Sequence, residues 1–193
     1  MTDKLRIAVA DDEALIRRYF QEILPDMGHT VVAAAADGEE LVAACAREKP
    51  ELVITDIRMP NLDGIEAALT IFAERPMPII LVSAFNDDDL VERAAQSQAM
   101  AYLIKPIERA HLETTIPMAC RSFAQIEQLQ AETIRLTQSL EDRKVIEKAK
   151  GLIMKNLSLD EAAALRAMQK MACEKNRKLV DVARLVIESE DRS

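Results

Sequence analysis

Tryptophan is absent and aromatic residues make up only 3% of the chain, so whatever interior it has must be filled by aliphatic side chains. No run approaches the roughly 18 consecutive apolar residues that a membrane-spanning helix needs. The first apolar stretch, residues 5–10, is cut at once by Asp11, Asp12 and Glu13, which argues against membrane insertion and for a cytoplasmic location. Cys45, Cys120 and Cys173 are odd in number, far apart and without metal-ligand spacing. That leaves no material for a disulfide framework or a zinc site. What the chain does have is 49% apolar and 30% charged residues, the balance of a soluble globular protein. At 193 residues, one domain with a smaller attachment is the expected arrangement.

From residue 5 to about 107, short aliphatic runs alternate with longer amphipathic stretches. This is the pattern of parallel strands joined by crossover helices. Strands are expected at 5–10, 30–34, 52–55, 78–82 and 101–104, and helices near 14–26, 38–48, 63–74, 88–97 and 108–122. Five such strands suit a doubly wound α/β sheet in the order 2-1-3-4-5, where ligands sit beyond the carboxyl ends of the strands. The first domain then covers residues 1–121.

Pro117 is expected to interrupt the last of these helices. Beyond it Ile126, Leu129, Thr133, Leu136 and Leu140 alternate spacings of three and four, the a/d seam of a short coiled coil over 122–142. Residues 143–193 read as three short helices: Val145 to Ile153 on one face, a second opened by a capping box at Ser158 to Glu161, and a third carrying Leu179, Val182, Ala183, Val186 and Ile187. Charge divides the chain in the same place. Residues 1–140 hold 13 basic against 23 acidic side chains, whereas 143–187 hold 11 against 5. A basic module on an acidic protein points to a polyanionic partner. Lys144, Lys148, Lys150, Lys155, Arg177 and Lys178 are the candidate contacts, set against the plainer reading of a solvated helix surface. Gly151 costs its helix about 1 kcal/mol relative to Ala, so a close helix crossing or the approach of that polyanionic partner is expected there.

The chemistry-bearing residues of the first domain fall at strand ends: Asp11 and Asp12 after the first, Asp56 after the third, Ser83 after the fourth and Lys105 after the fifth. Singly, each has a plainer role, as a helix cap, a turn residue or a strand end. Together they would converge at one edge of the sheet. Three carboxylates brought together repel, and a divalent cation with a taste for oxygen ligands relieves that repulsion.

These residues carry a family resemblance. Asp11-Asp12-Glu13, the run from Thr55 to Gly64 (Thr-Asp-Ile-Arg-Met-Pro-Asn-Leu-Asp-Gly), Val82-Ser83-Ala84 and Tyr102 to Pro106 resemble the receiver domains of two-component response regulators, which have the flavodoxin-like fold. The resemblance implies that Asp56 accepts a phosphoryl group from a histidine kinase or phosphotransfer protein. It implies that Asp11, Asp12, Asp56 and the Arg58 backbone carbonyl hold Mg²⁺, that Ser83 and Lys105 bind phosphoryl oxygens, and that Tyr102 is a switch residue. Such a chain is a phosphoaccepting regulator more than an enzyme. In the family the residues two after the phosphoacceptor and two after the hydroxyl residue, here Arg58 and Phe85, influence hydrolysis of the phosphate; Phe85 cannot orient a water, so slow loss is expected.

The tail resembles a second family. Arg143 to Met154, Asp160-Glu161-Ala162 and Asn176 to Ala183 are similar to the ANTAR domain of transcription antitermination regulators. With a receiver and an intervening coiled coil, the resemblance implies a homodimer, formed on phosphorylation through Ile126, Leu129, Thr133, Leu136 and Leu140, that binds paired RNA hairpins. The tail departs from the family in having no aromatic residue, with Leu165 where members often carry one, which removes ring stacking as a way of reading unpaired bases. A DNA-binding regulator and a signalling adaptor with a protein-docking tail stay open as alternatives.

Overall fold

The computed structural model describes residues 4–84 and 99–190. The expected helix over 88–97 and Phe85 lie outside the described residues. The elements are β1 (Arg6–Ala10), α1 (Ala14–Asp26), β2 (Thr30–Ala35), α2 (Gly38–Glu48), β3 (Leu52–Asp56), α3 (Gly64–Glu74), β4 (Ile79–Ser83), β5 (Ala101–Ile104), α4 (Arg109–Leu157), α5 (Glu161–Glu174) and α6 (Leu179–Glu190). The chain divides into two compact units, one ending at Glu127 and one beginning at Gln128.

In the first unit all five strands are parallel, in the order β2-β1-β3-β4-β5. Successive residues of a strand point to opposite faces, and here both faces are covered, which is why the strands are near-continuous apolar runs. Ala8, Ala10, Val53, Ile79 and Leu81 pack against Leu41 and Cys45 of α2 and Ile65, Ala68 and Ile71 of α3. Ile7, Val9, Ile54, Ile80, Val82 and Leu103 face the other way, onto Phe20 and Leu24 of α1 and Leu112, Ile116 and Ala119 of α4.

Pro117 does not break α4, contrary to the sequence expectation; the helix runs through it for 49 residues. A proline inside a helix costs roughly 3 kcal/mol. Leu112 and Ile116, on the same turns, are 0% and 1% exposed, and full burial of each contributes about 1.5–3 kcal/mol. Core packing of Leu112 and Ile116 before the proline and Ala119 after it therefore outweighs the lost backbone bond.

Nor does the helix end at Arg143. The second unit is indeed a three-helix cluster, but its first helix is the end of α4: Ala149 and Ile153 pack with Ala164 and Met168 of α5 and Ala183 of α6. The start of α5 also differs from expectation. Asp160, not Ser158, is the N-cap, accepting from the Ala163 N–H at 2.6 Å. Ser158 adopts a left-handed backbone (φ 51°), and Glu161 turns to Lys150 rather than back to the cap. Gly151 is exposed, and a Cβ there would meet nothing within 4 Å, so the expected close helix crossing is not what keeps it glycine.

Candidate functional site

The parallel sheet delivers Asp11, Asp56 and Lys105 to one edge because Asp56 ends β3 while Asp11 and Lys105 directly follow β1 and β5. Lys105 Nζ lies 2.6 Å from Asp56 Oδ2, 3.0 Å from Asp11 Oδ2 and 3.1 Å from Glu13 Oε1. Asp11 is fully buried and Asp56 only 7% exposed. One carboxylate oxygen from each of Asp11, Asp12 and Asp56 lies within 4.8 Å of the others.

Burial pushes the Asp11 carboxyl up from its ordinary value, against the pull of Lys105 and the Glu13 N–H that donates to its Oδ1. Burial also works against the Lys105 ammonium, but its hydrogen bond to Asp56 and the Asp11 carboxylate beside it win and raise its pKa well above that of an ordinary lysine. The lysine stays charged at any working pH. Asp11 Oδ2, although close to Nζ, has no donor aligned on it. A buried carboxylate oxygen without a hydrogen bond is costly, and it leaves a lone pair open to a cation.

The loop after β3 holds Asp56 in place. Arg58 N–H donates to Asp56 Oδ1 at 3.2 Å, and Gly64 N–H donates to the Ile57 carbonyl at 2.8 Å. Asp63 caps α3, accepting from Ile65 and Glu66. A Cβ on Gly64 would collide with the Asp56 carbonyl, so the helix can start this close to the strand only with glycine at that position. On the far side of the loop, Gly38 N–H donates to the Leu62 carbonyl, a Cβ on Gly38 would strike that same oxygen, and Asn61 donates to Asp37.

Ser83 stands at the same sheet edge, on the end of β4, but its hydroxyl donates to the Ala84 carbonyl at 3.0 Å rather than joining the carboxylates. Tyr102 is on β5 and 45% exposed. Two contributors were missed by sequence reasoning. Glu13 shares Lys105, and Arg17 reaches back from α1 to donate to the Asp11 and Asp12 carbonyls at 2.7 and 3.0 Å. A basic residue one helical turn beyond an acidic run was the available signal.

In the second unit Lys144, Lys148, Lys155, Arg177 and Lys178 are exposed. Lys150 is not. It is 8% exposed and its ammonium lies 2.6 Å from Glu147 Oε2 and 2.7 Å from Glu161 Oε1. Bonds to Glu147 and Glu161 raise its pKa and lower that of Glu161. The expected contact at Lys150 is thus corrected to an internal ion cluster joining α4 to α5. An ammonium already held by two carboxylates has little left to offer a phosphate.

Residues 7–117 match the response regulator receiver domain family, and residues 135–187 match the ANTAR domain family. The chain is a response regulator with an ANTAR domain. Over 184 residues it is 40% identical to the transcriptional regulatory protein PdtaR of Mycobacterium tuberculosis, spanning 95% of this chain and 90% of that protein. Among solved structures, the signal receiver domain of a modulated diguanylate cyclase from Desulfovibrio desulfuricans superposes with a TM-score of 0.60 at 27% identity, covering 64% of this chain and 98% of that one. The CheX–CheY–BeF3–Mg²⁺ complex from Borrelia burgdorferi gives a TM-score of 0.54 at 26% identity, covering 57% and 85%.

From between the two matched regions of this response regulator into the start of the ANTAR match, α4 displays the expected seam to solvent. Ile126, Leu129, Leu136 and Leu140 are 39%, 63%, 58% and 61% exposed. Thr133 satisfies its hydroxyl within the helix, on the Leu129 carbonyl. No described helix is long and apolar enough to cross a membrane.

Proposed function

We propose that Asp56 is phosphorylated by a histidine kinase or phosphotransfer protein, and that this controls binding of structured RNA, and so transcription antitermination, by the ANTAR domain. The observation that carries the first half is the convergence of Asp11, Asp12 and Lys105 on the Asp56 carboxylate. An Asp56 carboxylate oxygen attacks the phosphorus of the donor's phosphohistidine, an O–P bond forms, and the P–N bond breaks with its electron pair leaving on the imidazole. Lys105 neutralises charge on the transferring oxygens, and the Arg58 N–H orients the carboxylate. Ser83, at the end of β4, supplies the hydroxyl for a phosphoryl oxygen once it leaves the Ala84 carbonyl.

The trio of carboxylates and the unaligned Asp11 Oδ2 fit a hard divalent cation of the size of Mg²⁺, with the Arg58 carbonyl as a further ligand. When bound, that ion supplies charge neutralisation for the phosphoryl oxygens. The receiver is then a phosphoacceptor and switch, not a turnover enzyme, and Tyr102 on β5 is its switch residue.

The second half is supported by the ANTAR match and by the basic balance of residues 143–187. The apolar seam on α4 gives two copies a surface to pair through, and a homodimer places two ANTAR domains on paired hairpins. A small phosphodonor with Mg²⁺ is expected to add one acid-labile phosphate, and Asp56→Asn to abolish it, because an amide is not a competent nucleophile. Labelling of the Asn variant at the wild-type rate removes Asp56 from this role.

A further inference from the structure

Asp11 and Asp12 are neighbours in the chain, yet both bring a carboxylate oxygen to Asp56. In extended backbone successive side chains, and successive carbonyls, point to opposite sides. The convergence therefore requires a turn directly after β1, and something must hold that turn. Asp11 has two ties of its own: its N–H donates to the Ala35 carbonyl at 3.3 Å, and its Oδ1 accepts the Glu13 N–H at 2.9 Å. Lys105 further restrains Asp11 and Asp56. Asp12 is exposed, and among the described residues no side chain bonds its carboxylate.

The remaining tie is Arg17. From the fourth residue of α1 its Nη1 donates to both the Asp11 and the Asp12 carbonyl, at 2.7 and 3.0 Å. One nitrogen reaches two consecutive carbonyls only where the chain has left the extended form. That same departure turns the two carboxylates to one side. The placement runs against electrostatics, because a cation this near a helix N-terminus is opposed by the helix dipole. α1 has no acidic residue in its first turn and no side-chain cap to offset it. A positive charge behind the carboxylates also repels any cation they take up. Arg18, the next residue, is exposed and pairs with Glu22 instead.

We infer that Arg17 is a positioning residue for the metal-binding pair: by gripping the two carbonyls it fixes the turn that presents Asp11 and Asp12 together, and so raises the affinity of the cluster for a divalent cation. The inference rests on the cation reading above. Arg17 needs no contact with the ion, since it acts through the backbone that carries two of the ligands. Without it Asp12, repelled by Asp11 and Asp56, turns out to solvent. The ordering that the fold had supplied in advance then falls on the ion.

Charge and position predict opposite signs, and Mg²⁺ alone is the probe. Binding to the unphosphorylated full chain is followed by backbone amide NMR shifts, with the Mg²⁺-dependent rise in thermal midpoint as a second reading. Arg17→Met removes a positive charge, so electrostatics alone makes Mg²⁺ bind more tightly. Loss of positioning makes it bind roughly 10–100-fold more weakly, and that is the expected result. A purely structural role would lower the midpoint in EDTA and leave the affinity alone. Arg18→Met loses the same charge one residue on and should not weaken binding. Arg17→Lys keeps the charge on a shorter stem and should fall between the wild type and Arg17→Met. Wild-type or tighter binding by Arg17→Met overturns the inference and leaves the cation reading standing. Where Arg17→Met does not fold, Arg17→Lys decides, and wild-type affinity there overturns the inference. A wild type that takes up no Mg²⁺ overturns the cation reading and the inference with it.

Discussion

Replacing Gly64 by alanine strikes Asp56, the proposed phosphoacceptor, from behind. The added Cβ would stand 2.8 Å from the Asp56 carbonyl carbon and 3.1 Å from Thr55 Oγ1, and closer still to the Asp56 carbonyl oxygen. The atoms it meets are mostly backbone of β3, held by pairing to β1 and β4 on either side, so the clash cannot be relieved by a rotating side chain. Overpacking of this kind costs about 1–3 kcal/mol, which for a chain of this length lowers the thermal midpoint by about 2–12 °C. The kinetic effect should be larger in proportion. Displacing a reacting group by about 1 Å can cost on the order of 100-fold in rate, and the Asp56 backbone must yield by a comparable distance. Labelling with acetyl phosphate and Mg²⁺, followed on phosphate-affinity gels beside thermal unfolding by circular dichroism, measures both. Gly151→Ala is the control, since open space surrounds that position, and it should gain roughly 0.5–1 kcal/mol. A Gly64→Ala variant that labels at the wild-type rate with an unchanged midpoint would show that the close approach to Asp56 does not constrain the site.

The α4 seam and His29 give two further expectations. Leu129→Glu with Leu136→Glu should abolish phosphorylation-promoted dimerisation, since burying each leucine contributes up to about 1.5–3 kcal/mol; sedimentation equilibrium reads this, and a wild type that is monomeric in both states refutes it. Burial lowers the pKa of His29, which is 5% exposed and accepts the Leu5 N–H on Nδ1 at 3.3 Å. The unfolded chain then takes up a proton near pH 6.5 while the fold still resists it. Stability should be fully present above that pH and fall as the pH drops toward the lowered folded value. Denaturant midpoints at pH 7.5 and 5.5 should differ less for His29→Gln than for the wild type, and equal differences would exclude His29 as the source.

Much of this was legible in the sequence because it rests on local pattern. The five strands lie where aliphatic runs lie, with ends moved by a residue, and the order β2-β1-β3-β4-β5 is one that such an alternation of strand and helix suits. Asp11, Asp56 and Lys105 could be placed together because a parallel sheet brings the carboxyl ends of its strands to one edge. What escaped depends on partners distant in sequence. Pro117 reads as a breaker until the burial of Leu112 and Ile116 is known. Lys150 reads as one more surface lysine until Glu161, eleven residues on, is seen beside it, and the same contact takes Glu161 away from the capping box. The seam of α4 was visible in the spacing, but its continuity into the three-helix cluster was not, because nothing between Leu140 and Val145 distinguishes a linker from an unbroken helix.

The interlocking of the loop after β3 sets what can vary during divergence of such regulators. Gly64 at one end and Gly38 against the other leave no volume for a side chain, whereas Arg58 and Pro60 between them are exposed. Drift at the two glycines would disturb the strand that carries Asp56, while drift at Arg58 and Pro60 changes only the rim that a donor or an attacking water meets. With Asp56 phosphorylated as proposed, a lineage could retune the lifetime of its signal, and the donor it answers to, through outward-facing residues alone.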